Sequence, residues 1–140
     1  MTAFDSERVK NECVGWIRTF FRENGEVTYY VPAGDWYDLF TGRKIAGGTW
    51  RTERHGFLTL PLLVRGGTVL PMGACEERTD YDYTDGVELR AYGLKDGESY
   101  QLEIPDPDGQ RRTLYTVRNQ GGKISVKTDS NKAYTVSLIE

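Results

Sequence analysis

Val87-Glu88-Leu89-Arg90-Ala91-Tyr92, followed beyond a Lys95-Asp96-Gly97 turn by Ser99-Tyr100-Gln101-Leu102-Glu103-Ile104, decides the fold class. Val87, Leu89 and Ala91 alternate with Glu88, Arg90 and Tyr92, and Tyr100, Leu102 and Ile104 alternate with Ser99, Gln101 and Glu103. Successive side chains of a strand point to opposite faces, so each run is a strand with one dry face. Ile124 and Val126, then Tyr134, Val136 and Leu138, repeat the pattern. Turns fall at Pro107-Asp108-Gly109, Gln120-Gly121-Gly122 and Asp129-Ser130-Asn131, where Gly supplies positive φ and Asx side chains bond their own backbone. Strands at such short, even spacing predict an antiparallel β-sandwich.

Working toward the N-terminus, the polar stretch from Gly73 to Asp85 reads as a connection between two β units. The expected organisation is a proximal β module over residues 25–75 and a distal β-sandwich module over residues 76–140. In the proximal part, residues 26–31, 36–40, 49–53 and 57–65 read as strands, broken by Pro32-Ala33-Gly34 and Thr41-Gly42. Gly66-Gly67 between two apolar runs has the chemistry of a tight primed hairpin. Pro61 lacks a ladder donor and belongs at an edge or bulge.

Residues 6–23 differ in period. Val9, Cys13, Trp16, Ile17, Phe20 and Phe21 recur at spacings of three and four, with Glu7, Lys10, Asn11, Arg18 and Arg22 mainly opposite. Asp5 or Ser6 is placed to cap the first free amides, and Asn24-Gly25 to end the run. The prediction is one N-terminal amphipathic helix within residues 1–24, covering this chain's own sheet or docking a partner through Trp16 and Phe20. The fold class expected is therefore mainly β, with that single helix.

Composition agrees. Sixteen Gly, five Pro, three Trp, nine Tyr and five Phe in 140 residues favour short strands joined by tight turns. A chain of this length buries a core without disulfide staples. The net charge of −3 provides no broad basic field for nucleic acid or an anionic membrane. No run of about 18 apolar residues and no basic start followed by an apolar core is present, so no membrane span or signal peptide is expected and a cytoplasmic location is the default. Cys13 and Cys75 have neither a disulfide framework nor a metal spacing.

Residues able to do chemistry are scarce. His55 is the single histidine, without cysteines or carboxylates at ligand spacing, and it reads as a turn residue before Gly56. No Gly-x-Ser-x-Gly elbow occurs, and Gly47-Gly48 and Gly66-Gly67 lack the Lys and helix of a phosphate cradle. Asp35, Asp38, Asp80, Asp82, Asp85, Asp96 and Asp108 lie in or beside turns, where capping is their expected work. No catalytic residue, metal ligand or cofactor is assigned. Aromatic rings are the remaining candidates, because an exposed ring stacks on the C–H face of a sugar. In Tyr29-Tyr30 and Trp36-Tyr37 one ring of each pair should enter the core and the other face solvent or a neighbouring domain. Trp36 and Trp50 divide between core packing and contact with carbohydrate or a domain. Trp36, Tyr37, Tyr81 and Tyr83 are the candidate carbohydrate-binding rings.

Three ordered segments carry a resemblance: Val27-Thr-Tyr-Tyr-Val-Pro-Ala-Gly-Asp-Trp-Tyr-Asp-Leu-Phe-Thr-Gly42, His55-Gly-Phe-Leu-Thr-Leu-Pro-Leu-Leu-Val-Arg65 and Gly66-Gly-Thr-Val-Leu-Pro-Met-Gly73. They resemble consecutive motifs that follow the catalytic barrel of family 31 glycoside hydrolases. Thr79-Asp-Tyr-Asp-Tyr83, with Asp85-Gly-Val and the Leu94-Lys-Asp-Gly97 turn, looks like the start of the distal β domain of the alpha-xylosidase branch. The resemblance covers residues 21–140 and implies two successive β-sandwich domains. It implies no catalytic residue here, because that family's aspartates sit on a (β/α)8 barrel that takes about 200 residues or more. Residues 1–20 depart from the pattern; a truncated gene, a displaced start or a genuine replacement each fit. The expected function is a non-catalytic accessory or remnant region that braces a glycosidase barrel or pairs with itself. The rival expectations are a free-standing carbohydrate-binding module with weak sugar affinity and a protein-interaction module docking through its helix.

Overall fold

The computed structural model describes residues 20–21, 24–56 and 58–140, and these form twelve strands and no helix. The chain divides into two compact units, one ending at Gly66 and the other running from Gly67 to Glu140.

The first unit contains β1 (Phe20–Phe21), β2 (Glu26–Val31), β3 (Asp35–Asp38), β4 (Lys44–Ala46), β5 (Thr49–Arg54) and β6 (Leu63–Arg65). They make two three-stranded antiparallel sheets, in the orders β1-β2-β5 and β4-β3-β6. Val27, Tyr29 and Val31, the inward residues of β2, meet Trp36, Ile45 and Leu63 in one core. Trp36 brings a polar atom into this core, and its indole Nε1 donates to the Pro32 carbonyl at 2.8 Å, so the ring is buried without an orphaned donor.

The second unit contains β7 (Thr68–Met72), β8 (Val87–Tyr92), β9 (Ser99–Pro105), β10 (Arg112–Gln120), β11 (Lys123–Thr128) and β12 (Tyr134–Ile139). Their sheet orders are β12-β8-β7 and β11-β10-β9. Val69, Val87, Leu89 and Ala91 from the first sheet pack with Ile104, Tyr115 and Val117 from the second, so the unit is a two-layer sandwich. The hairpin of β10 and β11 turns on Gly121 and Gly122, both at positive φ (60° and 77°), the geometry a two-residue primed turn demands.

Several expectations change. Phe20 and Phe21, read as the end of the amphipathic helix, are strand and pair with Val27 and Thr28 of β2; the rest of that helix, Trp16 included, lies outside the described residues. Gly66-Gly67 does not close a hairpin. Only Gly67 has positive φ, the Gly66 amide donates to Asp35 in β3, and the Gly67 amide donates to Tyr92 in β8. Strand β6 accordingly pairs with β3, and β7 pairs with β8 in the second unit's sheet. The strand expected over residues 57–65 is confined to Leu63–Arg65. Pairing is antiparallel throughout except between β8 and β12, which run parallel. Besides β1, two strands had not been foreseen: β4, and β10, the central strand of its sheet. The inward face of β10 is Tyr115, Val117 and Asn119, flanked by Arg112 and Thr113, a mixture that hides its period.

Pro71 follows the edge rule, since it lies in β7, an edge strand. Among the described residues no helix is long and apolar enough to cross a membrane.

Candidate functional site

The side chains of the first unit that reach water without a polar reason to do so are its candidate site. The register of β2 and β5 places Tyr30 opposite Trp50, Thr28 opposite Thr52 and Glu26 opposite Arg54. With Val27, Tyr29 and Val31 turned into the core, this second set forms the outer face of the sheet. Trp50 is 68 % exposed and Tyr30 45 %, with ring centroids 5.5 Å apart and planes tilted by 59°. Beside them the Thr28 and Thr52 hydroxyls share a hydrogen bond of 2.9 Å. An aromatic step next to a hydroxyl pair is thus presented on a rigid ladder.

A polar network lies along the partly buried residues of the same two strands. Tyr29 Oη donates to Glu53 Oε2 at 2.8 Å, and Arg51 donates to Glu53 Oε1 through Nε and Nη2 at 3.1 and 2.8 Å. His55 Nε2 stands 3.3 Å from Glu53 Oε2, and its Nδ1 is 3.3 Å from Thr59 Oγ1. Burial pushes the Tyr29 hydroxyl up to about 12, with the Glu53 hydrogen bond adding to the rise. Burial alone would raise the Glu53 carboxyl, but hydrogen bonds from Arg51, Tyr29 and His55 hold it below the usual carboxylate range. The network is an ion pair with satisfied partners, and it ties His55 to the loop that carries Thr59.

Further large apolar side chains of the first unit are exposed in its loops. Phe40 is 63 % exposed and Leu58 96 %, with Leu60 also exposed. The Leu39 amide donates to the Leu62 carbonyl at 2.9 Å, which holds the Phe40 turn against the strand end that follows Leu60. The turn itself is built by Asp38, whose Oδ1 accepts from the Phe40 and Thr41 amides and the Thr41 hydroxyl.

Of the four rings singled out for carbohydrate, two do not reach solvent. Trp36 is 6 % exposed and Tyr37 2 %. Trp36 packs into the first unit's core, and the Tyr37 ring lies beside Lys44 and against Gly66, so both faces of β3 are covered. Tyr83 is at the surface, but its hydroxyl is committed to the Pro105 carbonyl at 2.8 Å. Tyr81 is half-buried, its hydroxyl occupying the space that a Cβ on Gly73 would need. Trp36 and Tyr37 belong to the first unit and Tyr81 and Tyr83 to the second. The exposed pair that residue-by-residue weighing missed is Tyr30 with Trp50. Alternation along β2 already turns Tyr30 outward, and the missing fact was the register that brings Trp50 beside it.

Two further carboxylates cap their own turns, Asp82 accepting from the Thr84 amide and Asp108 from the Gln110 amide, whereas Asp96 and Asp129 accept from the distant Gly121 and Leu114 amides. Among the described residues no group of three or more His, Cys, Asp or Glu is gathered as a metal would require. Cys75 is a free, half-buried thiol.

Comparison with known proteins agrees with this architecture. The model of the glycosyl hydrolase family 31 C-terminal domain matches residues 17–70, and that of the alpha-xylosidase YicI C-terminal domain matches residues 82–140. The chain carries the C-terminal domains of glycoside hydrolase family 31. Among curated family 31 relatives, an alpha-xylosidase of Emericella nidulans is 38 % identical over 108 residues, covering 70 % of this chain and 14 % of that protein. Alpha-xylosidase XylQ of Lactiplantibacillus pentosus is 27 % identical over 115 residues, covering 80 % of this chain and 15 % of that enzyme. The chain therefore spans about one seventh of the length of these relatives, within their C-terminal part. Among solved structures, the cycloalternan-forming enzyme of Listeria monocytogenes superposes with a TM-score of 0.69 at 20 % identity over 87 % of this chain and 12 % of its own. The family 31 alpha-xylosidase of Xanthomonas citri does so with a TM-score of 0.63 at 20 % identity, over 84 % of this chain and 14 % of its own. These two likenesses concern the fold.

Proposed function

We propose that this chain is a non-catalytic accessory region whose work is to brace a glycosidase barrel. The observation that carries the reading is the uneven distribution of exposed apolar side chains. Phe40, Leu58 and Leu60 stand at the turns of the first unit, the unit whose family model is the one named for family 31 as a whole. An apolar group of this kind at turns, where polar residues are the rule, marks a surface built to be covered. The carboxylates support the same reading from the other side. Those with described partners cap turns, accept from distant amides or close ion pairs, whereas glycoside hydrolysis needs two held free across a sugar.

The test pairs the chain with an alpha-xylosidase truncated to lack its own matching C-terminal region. Co-expression should restore soluble, active enzyme, and the double variant Phe40→Ser, Leu58→Glu should reduce that rescue. The purified chain alone should leave a nitrophenyl alpha-xyloside intact. Turnover that survives repurification and is abolished by one Asp substitution in this chain would show a catalytic function instead. Rescue unaffected by the double variant would remove these loop side chains from the bracing surface.

A further inference from the structure

On the outer face of β2 and β5 stand three cross-strand pairs, Tyr30 with Trp50, Thr28 with Thr52 and Glu26 with Arg54. We propose that this face is a binding platform for a neutral oligosaccharide, with one pyranose stacked on the Trp50 and Tyr30 rings and the next reaching the threonine hydroxyls. The proposal does not rest on the bracing role, which belongs to Phe40, Leu58 and Leu60.

Size separates a sugar from a protein as the occupant. An aromatic side chain has about 150–250 Å² to bury, and Trp50 and Tyr30 expose 68 % and 45 %, so together they present on the order of 250 Å². A stable protein interface takes about 800 Å² from each partner. The apolar area ends at the threonines, and what it fits is the C–H face of a single sugar ring. The ring planes are tilted by 59° with centroids 5.5 Å apart, so the more exposed Trp50 carries that face while Tyr30 closes its side.

The polar atoms around the rings suit sugar hydroxyls. Trp50 Nε1 and Tyr30 Oη have no hydrogen-bond partner among the described residues, whereas Trp36 Nε1, Tyr29 Oη and Tyr83 Oη are committed to Pro32, Glu53 and Pro105. Thr28 and Thr52 share one hydrogen bond, which leaves one hydroxyl proton and lone pairs on both oxygens for a ligand. Positions two apart on a strand lie about 7 Å apart, so this pair meets the sugar next to the stacked one. Glu26 opposite Arg54 leaves the face without net charge, which favours a neutral glycan over a uronate. Val27, Tyr29 and Val31 anchor the other side of β2 in the core, so the platform is rigid before the ligand arrives.

The test is a titration of the isotope-labelled full chain with xylohexaose, isomaltohexaose and an oligogalacturonate, followed by magnetic resonance. The Trp50 indole N–H, assigned by its loss in Trp50→Ala, should shift and saturate with a neutral sugar, together with the Tyr30 and Thr52 amides. Trp50→Ala should weaken binding about tenfold or more, the usual effect of truncating an aromatic anchor. Trp50→Phe, which keeps a stacking ring, and Thr52→Val should each weaken it by less, with unchanged melting temperatures. An indole signal unmoved by both neutral sugars, a response confined to the oligogalacturonate, or undiminished binding in Trp50→Ala would overturn the proposal. So would a native dimer that Trp50→Ala dissolves, which would make a second copy the occupant. The Phe40→Ser, Leu58→Glu chain should bind sugar as the native chain does, whatever its effect on barrel rescue; loss of binding there would move the ligand to the loops and overturn the proposal.

Discussion

Lys132 Nζ lies 2.9 Å from Asp82 Oδ2, joining two residues 50 positions apart in sequence. Asp82 sits at the first residue of the distal family match and Lys132 just before the last strand. The pair is reinforced by the Thr84 hydroxyl, which meets both side chains, and by the Gly86 amide, which donates to the Ala133 carbonyl at 2.9 Å. It closes the second unit at the point where β8 and β12 enter their parallel pairing, an arrangement that no hairpin turn can hold.

The Thr84 hydroxyl foremost, then Lys132 and the Thr84 amide, hold the Asp82 carboxyl down at about 2, below its ordinary 3.8. A depressed native pKa means that the unfolded chain takes up the proton first as pH falls. The stabilisation is therefore complete above about pH 4 and is lost as pH drops from there through about 2. Asp82→Asn should flatten that part of the melting-temperature profile and leave its dependence elsewhere intact. Because the pair is exposed, added salt should shrink the effect. A parallel downward slope in both proteins would show that Asp82 is not the group responsible.

Tyr29 gives the opposite sign. Its hydroxyl, pushed up to about 12 by burial and then by Glu53, ionises more readily in the unfolded chain. Stability from this group is full below about pH 10 and is lost as pH rises through about 12. Tyr29→Phe should remove that alkaline loss. At neutral pH it should cost about 1.5–3 kcal/mol, the scale of one hydrogen bond to a carboxylate, read from the denaturant midpoint. A midpoint equal to that of the native chain would mean that Arg51 and His55 satisfy Glu53 without Tyr29.

Gly47 has no room for a side chain. A Cβ there would collide with the Pro32 carbonyl oxygen and stand 2.7 Å from that of Gly34. Gly47→Ala should destabilise the first unit by about 1–3 kcal/mol, the ordinary scale of overpacking. Calorimetry should show the loss, and an unshifted melting transition would place the turn elsewhere.

Tyr115 is buried in the second core, where its Oη has no hydrogen-bond partner among the described residues and its ring meets the edge of Tyr134. An unsatisfied buried hydroxyl costs about 1–3 kcal/mol. Tyr115→Phe keeps the ring and removes the hydroxyl, so the melting temperature should hold or rise. A clear fall would reveal a partner for that oxygen.

The sequence by itself determined what neighbouring residues determine physically. Alternation over residues 87–92 and 99–104 dictates strands with one dry face, and Gln120-Gly121-Gly122 dictates a turn, because side-chain period and φ are local properties. The ordered segments around Trp36, Leu63 and Asp82 likewise sufficed for the family. Partner choice needed the tertiary structure. That β6 joins β3 while β7 joins β8, that β12 runs parallel to β8, and that Phe20 and Phe21 pair as strand rather than continue a helical stripe are outcomes of distant hydrogen-bonding edges competing for one another. The same holds for the rings. Trp36 and Tyr37 alternate as Tyr29 and Tyr30 do, yet both are buried, whereas Tyr30 stays exposed although β2, like β3, is the central strand of its sheet. Period says which face a side chain takes, and only the packing of whole sheets decides whether that face is covered.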